Sequence, residues 1–180
     1  MKSGILYRFK NIFILINCLL ALFIDGMLYV NVESFFPLYV KDKFNVKTEQ
    51  ISSTKVSAVI CALGLSSVIF SKLHSVTIGY FGRKNSILSG LLILFITNFG
   101  LGILDYVPAE YPTLFIILNV VLRFIQGYGD SLTFSACYSV IMQTFVTNKQ
   151  LYISYAEVSF GIGSVVGPIL GSVFYSSYGY

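Results

Sequence analysis

The sequence predicts an all-α bundle of membrane-spanning helices, and three observations carry that prediction. Five apolar stretches each reach the roughly 20 residues needed to cross about 30 Å of hydrocarbon. Charged residues make up only 11% of the 180-residue chain and hydrophobic residues 56%, against roughly 25% charged in a typical soluble domain. The connectors are short and hold the charges and helix breakers, as in KDKFNVKTEQ (41–50), GRKN (82–85), DYVPAEYP (105–112) and TNK (147–149). So few charges could not cover the surface of a water-borne fold of this size, and the composition fits a bilayer.

The predicted spans lie near 11–37, 54–77, 86–104, 113–144 and 152–176. The first resembles a secretory signal peptide, since Lys2, Arg8 and Lys10 precede IFILINCLLALFI. Its apolar pattern, however, continues past Asp25 to Tyr39 with no small-x-small cleavage site, so it reads as a span. The second and third are separated only by the GRKN turn. The fourth follows a proline-rich connector, and the fifth carries GIGSVVGPILGS (161–172), rich in residues that are poor helix formers in water.

The net charge of +4 does not mark a nucleic-acid binder, because the basic residues are scattered in connectors without a stripe or motif. Their sidedness is informative instead. With the N-terminus inside, the inner loops hold Lys2, Arg8, Lys10, Lys72, Arg83, Lys84 and Lys149. The outer loops hold Lys41, Lys43, Lys47 and Lys55, diluted by Asp42, Glu49, Asp105 and Glu110. The expectation is a cytosolic N-terminus, with Tyr180 outside or in a lumen. Cys18, Cys61 and Cys137 fall in apolar runs and show neither disulfide nor zinc spacing. No metal or organic cofactor is expected.

Ionisable residues within spans are costly and mark function more often than not. Asp25 lies in span 1, Arg123 and Asp130 in span 4, and Glu157 near the start of span 5, whereas Glu33 reads as close to the outer interface. Arg123, Gln126 and Asp130 are spaced i, i+3, i+7 and share a helical face with Gly127. Such a face should line a cavity or meet other spans, with Asp25 the natural partner. Low dielectric disfavours a charged carboxylate, which suits Asp25 to hold a proton and a cation in alternation. The plain alternatives are an Arg123–Asp130 structural pair and a neutral Asp25 bonded between helices. Gly127-Tyr128-Gly129-Asp130 also matches the GxGD signature of intramembrane aspartyl proteases, but Asp25 follows Ile24 and the later Pro-Ala-Leu segment is absent from the sequence. An enzyme is therefore not expected.

Gly163, Gly167 and Gly171 recur every four residues and form a stripe beside Gly161. In lipid, small residues supply helix contact by letting backbones approach closely. Pro168 cannot donate to the carbonyl of Ser164, which should loosen the helix there. The stripe reads as a packing seam in a moving bundle, or as a static interface.

GxxxGPxxG from Gly163 to Gly171 resembles the fifth-helix signature of major facilitator antiporters, and Arg123-Phe-Ile-Gln-Gly127 resembles their fourth-helix RxxQG signature. SVTIGYFGRK (75–84) stands in the place of the loop 2–3 motif. It keeps Gly82, Arg83 and Lys84 but has Ser75 and Gly79 where that family usually has glycine and aspartate. Within the superfamily the chain resembles the vesicular amine transporters, including their polyamine-transporting branch. Asp25-Gly-Met-Leu-Tyr, Phe35-Phe-Pro37, GILDYVP (102–108) and Glu157 with the 161–180 segment carry that likeness.

The resemblance implies the first five helices of a twelve-helix fold. Residues 1–10 would be a cytosolic N-terminus and 11–180 an incomplete N-terminal six-helix half, whose partner would be the missing C-terminal half. It also implies proton-coupled antiport of a small organic cation by alternating access, in a vesicle, organelle or plasma membrane. Asp25 would bind the amine, with Gln126, Asp130 and Glu157 as further substrate contacts, and Arg123 would couple protonation to movement. A carrier of a sugar, drug or anion, or a non-transporting membrane protein that associates with full-length carriers, are the other readings.

Overall fold

The computed structural model describes residues 2–44 and 53–178. Lys47 and Glu49 of the first connector and the terminal Tyr180 lie outside the described residues. The described chain is five long helices: α1 (Lys2–Phe44), α2 (Ser53–Phe81), α3 (Arg83–Ile103), α4 (Pro112–Thr144) and α5 (Lys149–Tyr178), with one 3-10 turn at Leu104–Tyr106 between α3 and α4. Each contains a stretch long and apolar enough to cross a membrane: Phe9–Phe44, Thr54–Phe81, Arg83–Tyr106, Pro112–Thr144 and Lys149–Phe174. Large apolar side chains such as Phe13, Val68, Phe95, Phe99 and Val165 are exposed along these helices. Continuous apolar surface on this scale requires a lipid surround.

Local chemistry sets the breaks. Gly82 separates α2 from α3 at φ 76°, a left-handed conformation that other residues adopt at a cost. Its carbonyl accepts from the Ser86 backbone N–H at 3.0 Å and the Ser86 hydroxyl at 2.9 Å, which fastens the start of α3. Pro112 opens α4, where a missing N–H does no harm. Pro37 and Pro168 instead lie inside α1 and α5, which both run on past them.

The helices pack in an internally repeated way. α5 lies along α1, α2 along α4, and α3 along α4, while α1 and α4 cross at the centre. The close approaches are glycine-dependent. A side chain at Gly26 of α1 would strike the Phe160 carbonyl of α5, and one at Gly127 of α4 would strike the Leu63 carbonyl of α2. Thus α5 sits on α1 as α2 sits on α4, a packing that repeats within the chain. Gly163 and Gly167 complete the α1–α5 seam from the other side, facing the carbonyls of Phe23 and Met27.

Two apolar clusters bracket the centre. Phe36, Val40, Val59, Leu101 and Phe115 pack at one end; Cys18, Leu22, Cys137, Ile141 and Ala156 pack at the other. Phe36 and Phe115 stack with centroids 6.3 Å apart. Beyond them, Lys43 donates to the Asp105 carbonyl at 2.5 Å and approaches its carboxylate at 3.3 Å, while Tyr39 donates to the same carboxylate at 2.6 Å. The Lys43 ammonium also lies 5.2 Å from the Phe115 ring centre. This latch ties the end of α1 to the connector before α4.

The seam geometry separates the glycines of α5. Replacing Gly167 by Leu is expected to destabilise the purified chain by at least about 1–3 kcal/mol, the usual cost of overpacking. Gly161→Ala should be tolerated, because nothing lies within 4 Å of the added carbon. Thermal unfolding in detergent distinguishes the two, and equal shifts would refute the seam.

Candidate functional site

The centre of the bundle is polar where α1 crosses α4. Arg123, Gln126 and Asp130 are all buried, at 1%, 0% and 8% exposure, so the face inferred from their spacing points inward. Two glycines place it. Gly127 admits α2 on one flank, and Gly129 admits Gly90 and Ile93 of α3 on the other. With both flanks covered, the remaining polar face meets α1. Gln126 makes the crossing explicit: its Oε1 accepts from Arg123 Nη1 at 3.1 Å, and its Nε2 donates to the Leu28 carbonyl of α1 at 3.3 Å.

Asp25 is fully buried on α1, and its carboxyl faces that of Asp130 closely enough for each to feel the other's charge. Both oxygens of Asp25 and Oδ1 of Asp130 lack a hydrogen-bond donor. Two adjacent carboxylates in a low dielectric repel each other and lose their hydration. Such a pair is stable only with a proton or a cation between its members. Protein donors do not supply that neutralisation at these three oxygens.

Further polar groups line the same crossing. Tyr29, one turn beyond Asp25, packs edge-on against Phe160 with centroids 5.9 Å apart. It lies within charge reach of Asp130, Glu33 and Arg123. Asn119 is buried and donates to the Phe115 carbonyl at 2.8 Å, while its Oδ1 has no donor.

The other inferred residues fall in different places. Glu157 is exposed on α5 and lies within charge reach of Tyr138, apart from the carboxyl pair. Gly163, Gly167 and Gly171 are buried, Pro168 is half-buried and Gly161 is exposed. Arg83 reaches from the Gly82 turn to α4, donating from Nε to Ser139 Oγ at 2.8 Å, whereas Lys84 is exposed. A cavity of about 600 Å³ opens at this end between α1, α3 and α4, lined by residues including Phe13, Cys18, Arg83, Leu91 and Gln143. It is predominantly apolar, and neither member of the carboxyl pair lines it. Among the described residues no cluster of three His, Cys, Asp or Glu side chains is arranged to hold a metal.

Sequence reasoning gave one group no role and passed over another. Glu33 is half-buried, and its spacing of four and eight residues from Tyr29 and Asp25 was the signal that placed it on their face. His74 is buried on α2, with Nε2 3.2 Å from Ser131 Oγ and its ring 5.2 Å from that of Tyr128. A lone histidine in an apolar helix gives no such signal.

The sequence profile of the Major Facilitator Superfamily matches residues 18–180. The chain belongs to this superfamily. It is 25% identical over 171 residues to the rat MFS-type transporter SLC18B1, an alignment covering 95% of this chain and 36% of that protein. It is 24% identical to the MFS-type transporter ppzB of Metarhizium rileyi, covering 96% and 34%. It is 27% identical to a multi-drug resistance efflux pump PmrA homolog of Lactococcus lactis, covering 95% and 40%. The chain thus spans about a third of the length of these curated relatives. No solved structure matches it. Membership establishes an all-α major facilitator membrane bundle.

The repulsive pair carries a stability consequence. Asp25→Asn should raise the unfolding temperature of the purified chain, by an amount equivalent to roughly 1 kcal/mol, as relief of a strained functional site does. Leu22→Ala, by contrast, should cost about 2–5 kcal/mol as a core truncation. An Asp25→Asn variant that melts as low as Leu22→Ala would show that Asp25 is a structural anchor.

Proposed function

We propose that the carrier to which this segment belongs exchanges protons for a small organic cation, an amine or polyamine, by alternating access. The single observation behind this reading is the Asp25–Asp130 carboxyl pair, buried at the α1–α4 crossing and short of donors. A site of that kind is satisfied by a proton or by an ammonium group, so loading one expels the other. Anions and neutral sugars offer no such exchange. The likeness to vesicular amine transporters supports the same cargo class.

Asp25 and Asp130 bind the cation in this reading, and Gln126 spans the two helices beside them. Arg123 couples the charge state of the site to the position of α4. Glu157, on the exposed side of α5, would reach solute only across an interface with a second half. The glycine seam and the Gly82–Arg83–Lys84 turn are the packing surface and inner-end tie of the moving unit, with the N-terminus in the cytosol. The name of the Lactococcus relative favours one second reading, in which the cargo is a broader set of cationic drugs.

Uptake of radiolabelled spermidine into proteoliposomes holding the whole carrier, driven by an imposed proton gradient, tests the assignment. Asp25→Asn should lower uptake at least roughly tenfold, as loss of a charge-assisted contact worth about 1.5–3 kcal/mol does. Uptake at the wild-type rate would remove Asp25 from the site. The 180-residue chain reconstituted alone should transport nothing, because carriers of this kind hold solute between repeats of the complete fold.

A further inference from the structure

The cavity at the Gly82 end takes no part in cation exchange, and its three walls share one gradient of polarity. On α1, Phe13 and Ile14 line it first, and Cys18 and Ala21 follow toward the middle of the helix. On α3, Arg83 and Lys84 come first, then Ile87 and Leu91. α4 arrives from the opposite direction, passing Val140 and reaching the exposed amide of Gln143. Lys10 is exposed one turn before Phe13 and Ile14, and it adds a third cation at the same end of α1. Each wall is therefore polar or basic at the end of the bundle and apolar toward its middle.

Size and charge together define what fits. The volume of about 600 Å³ lies within the roughly 300–1,000 Å³ of small-ligand pockets. From Phe13 to Ala21, as from Arg83 to Leu91, eight residues rise about 12 Å along the helix. That is close to one leaflet's half of the roughly 30 Å of hydrocarbon. The basic rim has no acidic neighbour on its own walls. Segments 1–24, 82–104 and 131–156, which carry this end of α1, α3 and α4, contain no Asp or Glu. Glu157 lies on α5, which contributes nothing to the lining. Arg83 donates from Nε to Ser139 Oγ at 2.8 Å, which anchors the guanidinium beside the cavity. Neither Arg83 nor Lys84 is paired with a carboxylate among the described residues.

An apolar helix laid in this groove would cover its walls and leave those charges uncompensated. A soluble anion would satisfy the charges and leave the apolar walls bare. A lipid with an acidic headgroup meets both demands, and basic pockets between membrane helices hold such headgroups. We propose that the cavity between α1, α3 and α4 binds one anionic phospholipid of the adjoining leaflet. Arg83 and Lys84 hold its phosphate, and an acyl chain lies among Phe13, Leu88 and Leu91. The site is separate from the carboxyl pair and does not depend on the cargo.

The test places the whole carrier in phosphatidylcholine nanodiscs with a minor fraction of phosphatidylglycerol that bears a photoreactive acyl chain. Cross-links mapped by mass spectrometry should fall on segments 13–21 and 87–91. Lys84→Gln, which removes the charge of an exposed side chain, should lower this labelling about fivefold, the effect of one basic residue at a membrane surface. Lys149→Gln removes an exposed cation outside the cavity lining and should leave the labelling unchanged. Unlabelled phosphatidylglycerol should suppress the cross-links, and inorganic phosphate should not. Equal labelling by phosphatidylcholine with the same photoreactive chain, or equal losses in Lys84→Gln and Lys149→Gln, would reveal unselective boundary lipid and overturn the proposal. Suppression by inorganic phosphate would overturn it in favour of a soluble anion. Labelling of the 180-residue chain alone, but not of the whole carrier, would show that a protein helix fills the groove and would overturn it too.

Discussion

A carboxylate brought into hydrocarbon must be neutralised, and this bundle brings two of them together. Asp25 and Asp130 approach because α1 and α4 cross at the centre, and the crossing depends on what surrounds it. Gly26 lets α5 close on α1; Gly127 and Gly129 let α2 and α3 close on α4. With α5 on α1 and with α2 and α3 on α4, the polar side chains of α1 and α4 meet where these two helices touch. The packing that water would drive by hydrophobic burial is achieved here by backbone proximity, because lipid offers little reward for hiding apolar surface. The glycines therefore enforce an electrostatic conflict as well as a seam.

Much of this was legible in the sequence, for reasons visible residue by residue. The inward face of α4 followed from the i, i+3, i+7 spacing of Arg123, Gln126 and Asp130, since lipid excludes such a face and leaves it one direction. The α1–α5 seam followed from the four-residue recurrence of Gly163 and Gly167. Gly161 does not share it: two residues earlier, it lies about 160° away around a helix of 3.6 residues per turn, on the exposed side. Glu157 is displaced by the same arithmetic, six residues and about 120° from Gly163.

The register of α1 against its neighbours was what the sequence conveyed poorly. The first span was expected to end near residue 37, whereas the apolar helix continues to Phe44. Its 36 residues extend about 54 Å at 1.5 Å each, well beyond the roughly 30 Å of hydrocarbon. Position along so long a helix does not by itself say which residues of a neighbour it meets. Gln126 and Phe115 fix that register in the structure. His74 was illegible for another reason, because its partners Ser131 and Tyr128 lie on a different helix.

The repeated packing also shows where the chemistry comes from. If Gly26 and Gly127 are equivalent, each accepting a carbonyl from its flanking helix, then Asp25 corresponds to Gln126 and Tyr29 to Asp130. Arg123 then corresponds to Leu22, and Glu33 to Phe134. The glycine contacts repeat, yet none of these four pairs conserves charge between its members. A symmetric substitution pattern would set aspartate against aspartate and arginine against arginine, producing two identical half-sites with balanced charge. Placing the arginine on α4 alone and an additional carboxylate on α1 leaves one unbalanced site at the crossing instead. The repeated glycine contacts thus fix where the helices meet, and the unmatched side chains confine the electrostatic conflict to a single place on that frame.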